Sequence, residues 1–216
     1  MKVINPEFYI YTENWVNTYI SPAIKGVPYN LVREEIEKIG VGTGIYFVPI
    51  FNQNFCDTVL QIVKNLPEHK WNTARHLSYP TTDIELHELG LDELYGQVLR
   101  DFMIPLALEA YGIEGDDTEN FYVENFLAKY TPNKQNHLPM HNDSSLFTFN
   151  LSLNEDFEGG GILFEKHNIT VQPSPGAAIL NPGMMGCKHG AKPVVSGTRY
   201  MLISFVLQKN PYNRKW

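Results

Sequence analysis

Phe147-Thr148-Phe149-Asn150-Leu151-Ser152-Leu153-Asn154 alternates large apolar and small polar side chains without a break. Successive side chains of an extended chain point to opposite sides, so this octet reads as a strand with two chemically different faces. The period of two sets in near Phe121. It returns from Arg199 to Leu207, a run apolar on both faces and therefore expected at the centre of a sheet. Many of the sixteen glycines and fourteen prolines fall after residue 155, which suits short strands joined by tight turns.

Before Phe121 the period is helical. Asn30, Leu31, Ile36 and Ile39, closed by Gly40, read as a short capped helix leading into a strand at Gly44-Ile45-Tyr46-Phe47-Val48. Phe55, Val59, Ile62, Val63 and Leu66 recur at helical spacing up to Pro67. Leu91, Leu94, Tyr95, Val98, Leu99 and Phe102 mark a longer helix, expected to kink or end near Pro105 and to finish at Gly112. The fold class expected is α+β: a double-stranded β-helix, or jelly roll, buttressed by helices from the N-terminal half. The chain is expected to form one domain over residues 1–216, helix-rich over about 1–118 with the jelly-roll core over about 119–208.

A net charge of −7 and the lack of clustered Lys and Arg argue against a nucleic-acid partner and leave a cationic one more at home. No run of 18 apolar residues marks a membrane span and no secretory leader is read, so the chain is expected to be soluble, with its compartment open. Cys56 and Cys187 are read as incidental buried thiols rather than a bridge.

His141-Asn142-Asp143 places two metal-ligand types two residues apart, where an extended segment would project both to one side. Such a pair is commonplace by itself. It gains weight from His189, 46 residues after Asp143, and from Arg199, ten residues further on. Two His and one carboxylate form the facial triad of non-haem Fe(II) oxygenases, leaving positions for a bidentate 2-oxo acid and for O2. Zn2+ could take the same ligands but brings no redox chemistry. Arg199 shares parity with Met201, Ile203 and Phe205, which puts a guanidinium at the end of an apolar row. A buried charge needs a partner: the carboxylate of a ligand, or an acid from elsewhere in the fold unless the residue lies at an exposed edge. Gly159, Gly160 and Gly161 allow a tight turn with positive backbone angles. The five other histidines are assigned to surface or core duty.

The segment from His141 to Asn150, then Phe157-Glu158-Gly159-Gly160-Gly161, Asn181-Pro182-Gly183, His189 and Gly197-Thr198-Arg199-Tyr200 closely resembles the C-terminal catalytic domain of procollagen lysyl hydroxylases. Fainter likeness runs through Tyr130-Thr131-Pro132 and Pro80-Thr81-Thr82-Asp83-Ile84, so that it covers about residues 75 to 207. The likeness is strongest to the giant-virus branch of that family, which would make this a viral protein. It implies His141, Asp143 and His189 as iron ligands, Arg199 as the anchor of the far carboxylate of 2-oxoglutarate, and Tyr130 and Asn150 in the co-substrate pocket. It further implies hydroxylation of peptidyl lysine in collagen-like chains with release of succinate and CO2, use of ascorbate, and a homodimer, for which Met184 and Met185 are candidate contacts. Ile162 stands where animal relatives carry cysteine. Two other readings stay open: the same chemistry on another target such as peptidyl proline, and a non-enzymatic metal-binding jelly-roll module.

Overall fold

The computed structural model describes residues 4–25, 37–38, 42–76, 78–114 and 118–209. A first helix, α1 (Glu13–Tyr19), is capped by Thr12, whose hydroxyl accepts from the Trp15 amide, and it buries Trp15. Strands β1 (Glu37–Lys38) and β2 (Tyr46–Pro49) pair antiparallel. The capped helix expected from Asn30 to Gly40 lies outside the described residues except at Glu37 and Lys38, and those two are strand rather than helix.

Helix α2 (Gln53–Lys64) follows the helical spacing, with Phe55, Cys56, Val59, Leu60 and Val63 on its buried side. Asn52 caps it by accepting from the amides of Asn54 and Phe55. After β3 (Asp83–Glu85) come α3 (Asp92–Val98), a π-helical turn over Leu99–Met103, and α4 (Ile104–Tyr111), ended by Gly112 with φ 64°. The helix therefore does not end at Pro105. Proline has no amide proton to give, and its ring would crowd the carbonyl four residues back; the wider π turn just before it absorbs that conflict, and Pro105 sits in the first turn of α4.

The remaining strands are β4 (Phe121–Tyr130), β5 (Leu138–His141), β6 (Phe147–Ser152), β7 (Phe157–Gly159), β8 (Ile162–Phe164), β9 (Ile169–Val171), β10 (Ala177–Pro182), β11 (His189–Ala191), β12 (Val194–Gly197) and β13 (Arg199–Gln208). They make a seven-stranded sheet in the order β1-β2-β10-β6-β13-β4-β3, a four-stranded sheet β5-β11-β8-β9, and the pair β12-β7. Every pairing is antiparallel. As its two apolar faces imply, β13 lies inside the large sheet, bonded to β4 on one side and β6 on the other.

The two faces of the large sheet have different neighbours. Phe147, Phe149 and Leu151 with Tyr200, Leu202 and Val206 join the core built by the helices. Met201 and Ile203 face the other way and pack with Phe126, Ala128, Tyr130 and Val194. Both faces of β6 are buried. The polar side of the octet thus looks not into solvent but into the interior between the two sheets, where a cavity of about 430 Å3 opens.

Candidate active site

His141 ends β5, His189 opens β11, and the two residues are direct cross-strand partners, with ring centroids 4.6 Å apart. His141 Nδ1 lies 2.8 Å from the Pro139 carbonyl and His189 Nδ1 lies 2.9 Å from that of Cys187. A carbonyl can only accept, so each Nδ1 carries the proton and each Nε2 presents its remaining valence inward. Asp143 meets them from the loop between β5 and β6, its Oδ1 3.3 Å from His141 Nε2 and its Oδ2 3.6 Å from His189 Nε2. The alternating geometry expected for His141 and Asp143 is therefore only half right, because Asp143 is not on the strand.

The loop is fixed by several bonds. Thr148 Oγ1 donates to Asp143 Oδ2 at 2.7 Å, and Ser145 Oγ lies 2.8 Å from Thr148 Oγ1. The amides of Gly183 and Met184 donate to the carbonyls of Leu146 and Asp143. Gly183 is needed here for close approach: a Cβ on it would lie 2.0 Å from the Ser145 carbonyl oxygen.

Burial opposes a charge on Asp143, yet the hydrogen bonds from His141 and the Thr148 hydroxyl help to hold its carboxyl below the usual range. Burial also dominates at His189 and lowers its pKa; at His141 the same penalty is outweighed by Asp143 and the Pro139 carbonyl, and the pKa rises. With His189 favoured neutral, its Nε2 lone pair faces a carboxylate oxygen. Two acceptors so placed call for a cation between them, and these three buried residues offer ligand atoms all within 4.8 Å of one another.

Arg199 is 1% exposed. Its Nη1 makes one long contact, 3.5 Å, to the Gly161 carbonyl, while Nε and Nη2 are buried with no partner. Among the described residues no carboxylate touches it; its neighbours are the rings of Tyr130 and Phe157, 5.7 and 5.9 Å from the guanidinium carbon. Both alternatives for Arg199, an acid from elsewhere in the fold and an exposed strand edge, are thereby excluded among the described residues. Burial lowers its pKa, the signature of a charge awaiting a counter-charge. Tyr130 is its cross-strand partner on β4, and burial pushes that phenol up to about 12, so it stays a proton donor. Asn150 also lines the cavity, donating from Nδ2 to Asn181 Oδ1 at 3.0 Å. The glycine run turns as expected, with φ of 77°, 72° and 93° at Gly159, Gly160 and Gly161. Cys56 and Cys187 are free and buried.

Sequence reasoning missed part of the wall. His76, grouped with surface or core residues, lines the cavity together with Arg75 and Glu124, and the Tyr79 ring lies 5.1 Å from that of His141. The faint Pro80 to Ile84 likeness was the available signal, pointing to the segment just after these residues. Thr148 was visible only as an alternating polar position.

This is the fold of the 2-oxoglutarate oxygenases, and the 2OG-Fe(II) oxygenase superfamily matches residues 118–208, so the chain carries a domain of that superfamily. Over most of its length the chain is homologous to procollagen-lysine 2-oxoglutarate 5-dioxygenases. It is 30% identical over 220 residues to procollagen-lysine,2-oxoglutarate 5-dioxygenase 2 of Mus musculus, covering 94% of this chain and 28% of that protein. To the Drosophila melanogaster procollagen-lysine,2-oxoglutarate 5-dioxygenase it is 30% identical over 226 residues, 94% of this chain and 30% of the relative. The chain thus spans under a third of the length of these curated relatives. Among solved structures it is similar to the viral collagen prolyl hydroxylase of Paramecium bursaria Chlorella virus-1 in its 2OG complex, with TM-score 0.53 and 16% identity over 77% of this chain and 98% of that one, a likeness of fold.

Proposed function

We propose that the chain is an Fe(II)- and 2-oxoglutarate-dependent hydroxylase of peptidyl lysine in collagen-like sequences, forming 5-hydroxylysine with release of succinate and CO2. His141, Asp143 and His189 would hold the metal, Arg199 the far carboxylate of 2-oxoglutarate, and Tyr130 and Asn150 would flank the co-substrate. The observation that carries the reading is Arg199: a buried guanidinium with two unpaired nitrogens in the same cavity as a converged His/Asp/His set. A purely structural metal site needs no such anchor. Lysine as the target rests on the similarity to lysyl hydroxylases.

Held there, Fe(II) and 2-oxoglutarate would supply the electrons that activate O2, the oxidant, toward an unactivated C–H bond. The residues of this chain do the positioning. Arg199 offers its planar fork to one end of the diacid and so fixes which end meets the triad. Thr148 holds Asp143, and the two backbone carbonyls hold the imidazoles, so the ligand set is organised in advance. Apolar walls such as Met201, Ile203 and Phe205 keep bulk water from the reacting carbon.

In this reading the helix-rich part, about 1–118, and the core, about 119–208, act as one domain, ascorbate sustains turnover, and the protein is a homodimer with Met184, exposed on its loop, at the contact. Light scattering with Fe(II) should give twice the chain mass; a monomer removes the dimer from the proposal. The central test is mass spectrometry of a Gly-x-Lys collagen-like peptide incubated with protein, Fe(II), 2-oxoglutarate and ascorbate. One oxygen gained on lysine, matched by succinate and lost in His141→Ala and Arg199→Ala, is expected. Oxygen on proline instead would transfer the chemistry to that target, and the lack of any turnover would return the chain to a binding module.

A further inference from the structure

The cavity extends past the His141, Asp143 and His189 cluster to a wall lined by Arg75, His76, Glu124, Phe126 and Phe205. On the inner face of the large sheet, Thr148 of β6, Phe205 of β13 and Glu124 of β4 are consecutive cross-strand partners. Two strand spacings, about 9.6 Å, therefore separate the Cα of Glu124 from that of Thr148, whose hydroxyl holds Asp143. Glu124 thus stands across the trough from the triad, with the Phe205 ring between them and the Phe126 ring beside it.

Arg75 lies over Phe126, its guanidinium carbon 4.6 Å from the ring centre. It donates to Asp83 at 2.8 Å, to Glu124 Oε1 at 2.5 Å and to Glu85 at 3.5 Å. Glu124 Oε2 takes no hydrogen bond among the described residues. Arg75 Nη2 and His76 Nε2, next to it, are buried and without a hydrogen bond, His76 Nε2 lying 3.8 Å from Asp83 Oδ2. Burial and the Arg75 charge both lower the His76 pKa, so this ring does not answer the negative charge. Of the three carboxylates on Arg75 only Glu124 lines the cavity, and because Asp83 and Glu85 also draw on the guanidinium, Glu124 keeps negative charge to offer beside an apolar slot.

We propose that this part of the cavity is the subsite for the ε-ammonium of the substrate lysine, with Phe126 and Phe205 against its methylenes and Glu124 as the residue that takes its charge. The inference rests on the lysine reading above and deepens it. The ammonium is two bonds from C5, so a carbon placed at the triad leaves the nitrogen short of the far wall, within reach of a carboxylate reaching in from Glu124. A substrate without a positive end would leave the Glu124 oxygen dehydrated and unpaired. Arg75 is a positioning residue: it fixes one Glu124 oxygen and so aims the other.

The test is equilibrium binding of two fluorescent collagen-like peptides, identical and otherwise uncharged, with lysine or norleucine at the target position, to Fe(II)- and 2-oxoglutarate-loaded protein under nitrogen. The wild type should prefer lysine by about tenfold to a hundredfold, the range of one charge-assisted hydrogen bond. Glu124→Gln should lose that preference by weakening the lysine peptide alone, with norleucine binding as the internal check on folding. Glu85→Gln, which is off the cavity wall, should keep the wild-type ratio. Unchanged preference in Glu124→Gln overturns the subsite while leaving lysine hydroxylation standing. A wild type that makes succinate yet does not distinguish lysine from norleucine, and hydroxylates no lysine peptide, overturns both.

Discussion

Arg199 and Arg75 stand on the walls of one cavity, the first without a single carboxylate and the second among three. Their burial alone does not explain the contrast, since Arg199 is the more deeply buried of the two. The difference lies in when each charge is answered. The Arg75 charge is answered during folding, by Asp83, whose side chain is fully buried, and by Glu124. Arg199 has no carboxylate among the described residues, and on the function proposed above it is satisfied by a ligand that arrives afterwards. A fold that keeps such a residue does so at a cost in stability, which the proposed anion-binding role would offset.

Four measurements can break or sharpen that contrast. The largest effect is expected from Arg75→Met, which strips the counter-charge from buried Asp83 and should lower unfolding free energy by about 3–5 kcal/mol in denaturant titrations. An unshifted midpoint would mean that Arg75 is not answering that charge. Arg199→Met should do the reverse, leaving the ligand-free protein as stable or more so, because no partner is orphaned. Its 2-oxoglutarate affinity should fall by about 2–4 kcal/mol, roughly 30-fold to 1000-fold by calorimetry. A ligand-free Arg199→Met protein that melts well below wild type would place an unseen partner on this residue.

Third, 2-oxoglutarate at a hundred times its dissociation constant, with Fe(II), should stabilise the wild type by about 2.7 kcal/mol, and at that same concentration Arg199→Met should show less than about 1 kcal/mol. Smallest is a pH effect at His76. Its folded pKa is depressed, by burial first and Arg75 second, so below about pH 6.5 the unfolded chain binds a proton that the folded one resists. Stability present above that pH is therefore lost as pH falls through it, and His76→Gln should flatten the slope between about pH 5 and 7 in urea titrations.

How much of this was legible beforehand follows the range of the interactions. The alternation at Phe147 to Asn154 and the apolar run after Arg199 are local, and each strand was found with its faces assigned. Arg199 and Asn150 share the interior because those strands carry them there. Contacts set by register between distant segments were not legible: Arg75 meets Glu124 across 49 positions of sequence, and nothing near either residue announces the other. Local pattern marked Pro105 as a place to kink or end and Gly112 as the finish, but which of the two happens at Pro105 depends on what its flanks pack against, and here the helix widens ahead of it and runs on.

The ten-residue strand β13 comes last in the sheet and lies between β4 and β6, neither of which has its second neighbour until β13 is in place. During synthesis, then, the helical layer can leave the ribosome and collapse while the large sheet still has a slot open in its middle. Arg199 emerges after His141, Asp143 and His189, and a nascent chain stalled before it would present two unpaired strand borders to any neighbouring chain. For as long as that slot stays empty, the hazard is association between unfinished copies, and a chaperone holding β4 and β6 apart until residue 208 appears would act at the moment of greatest exposure.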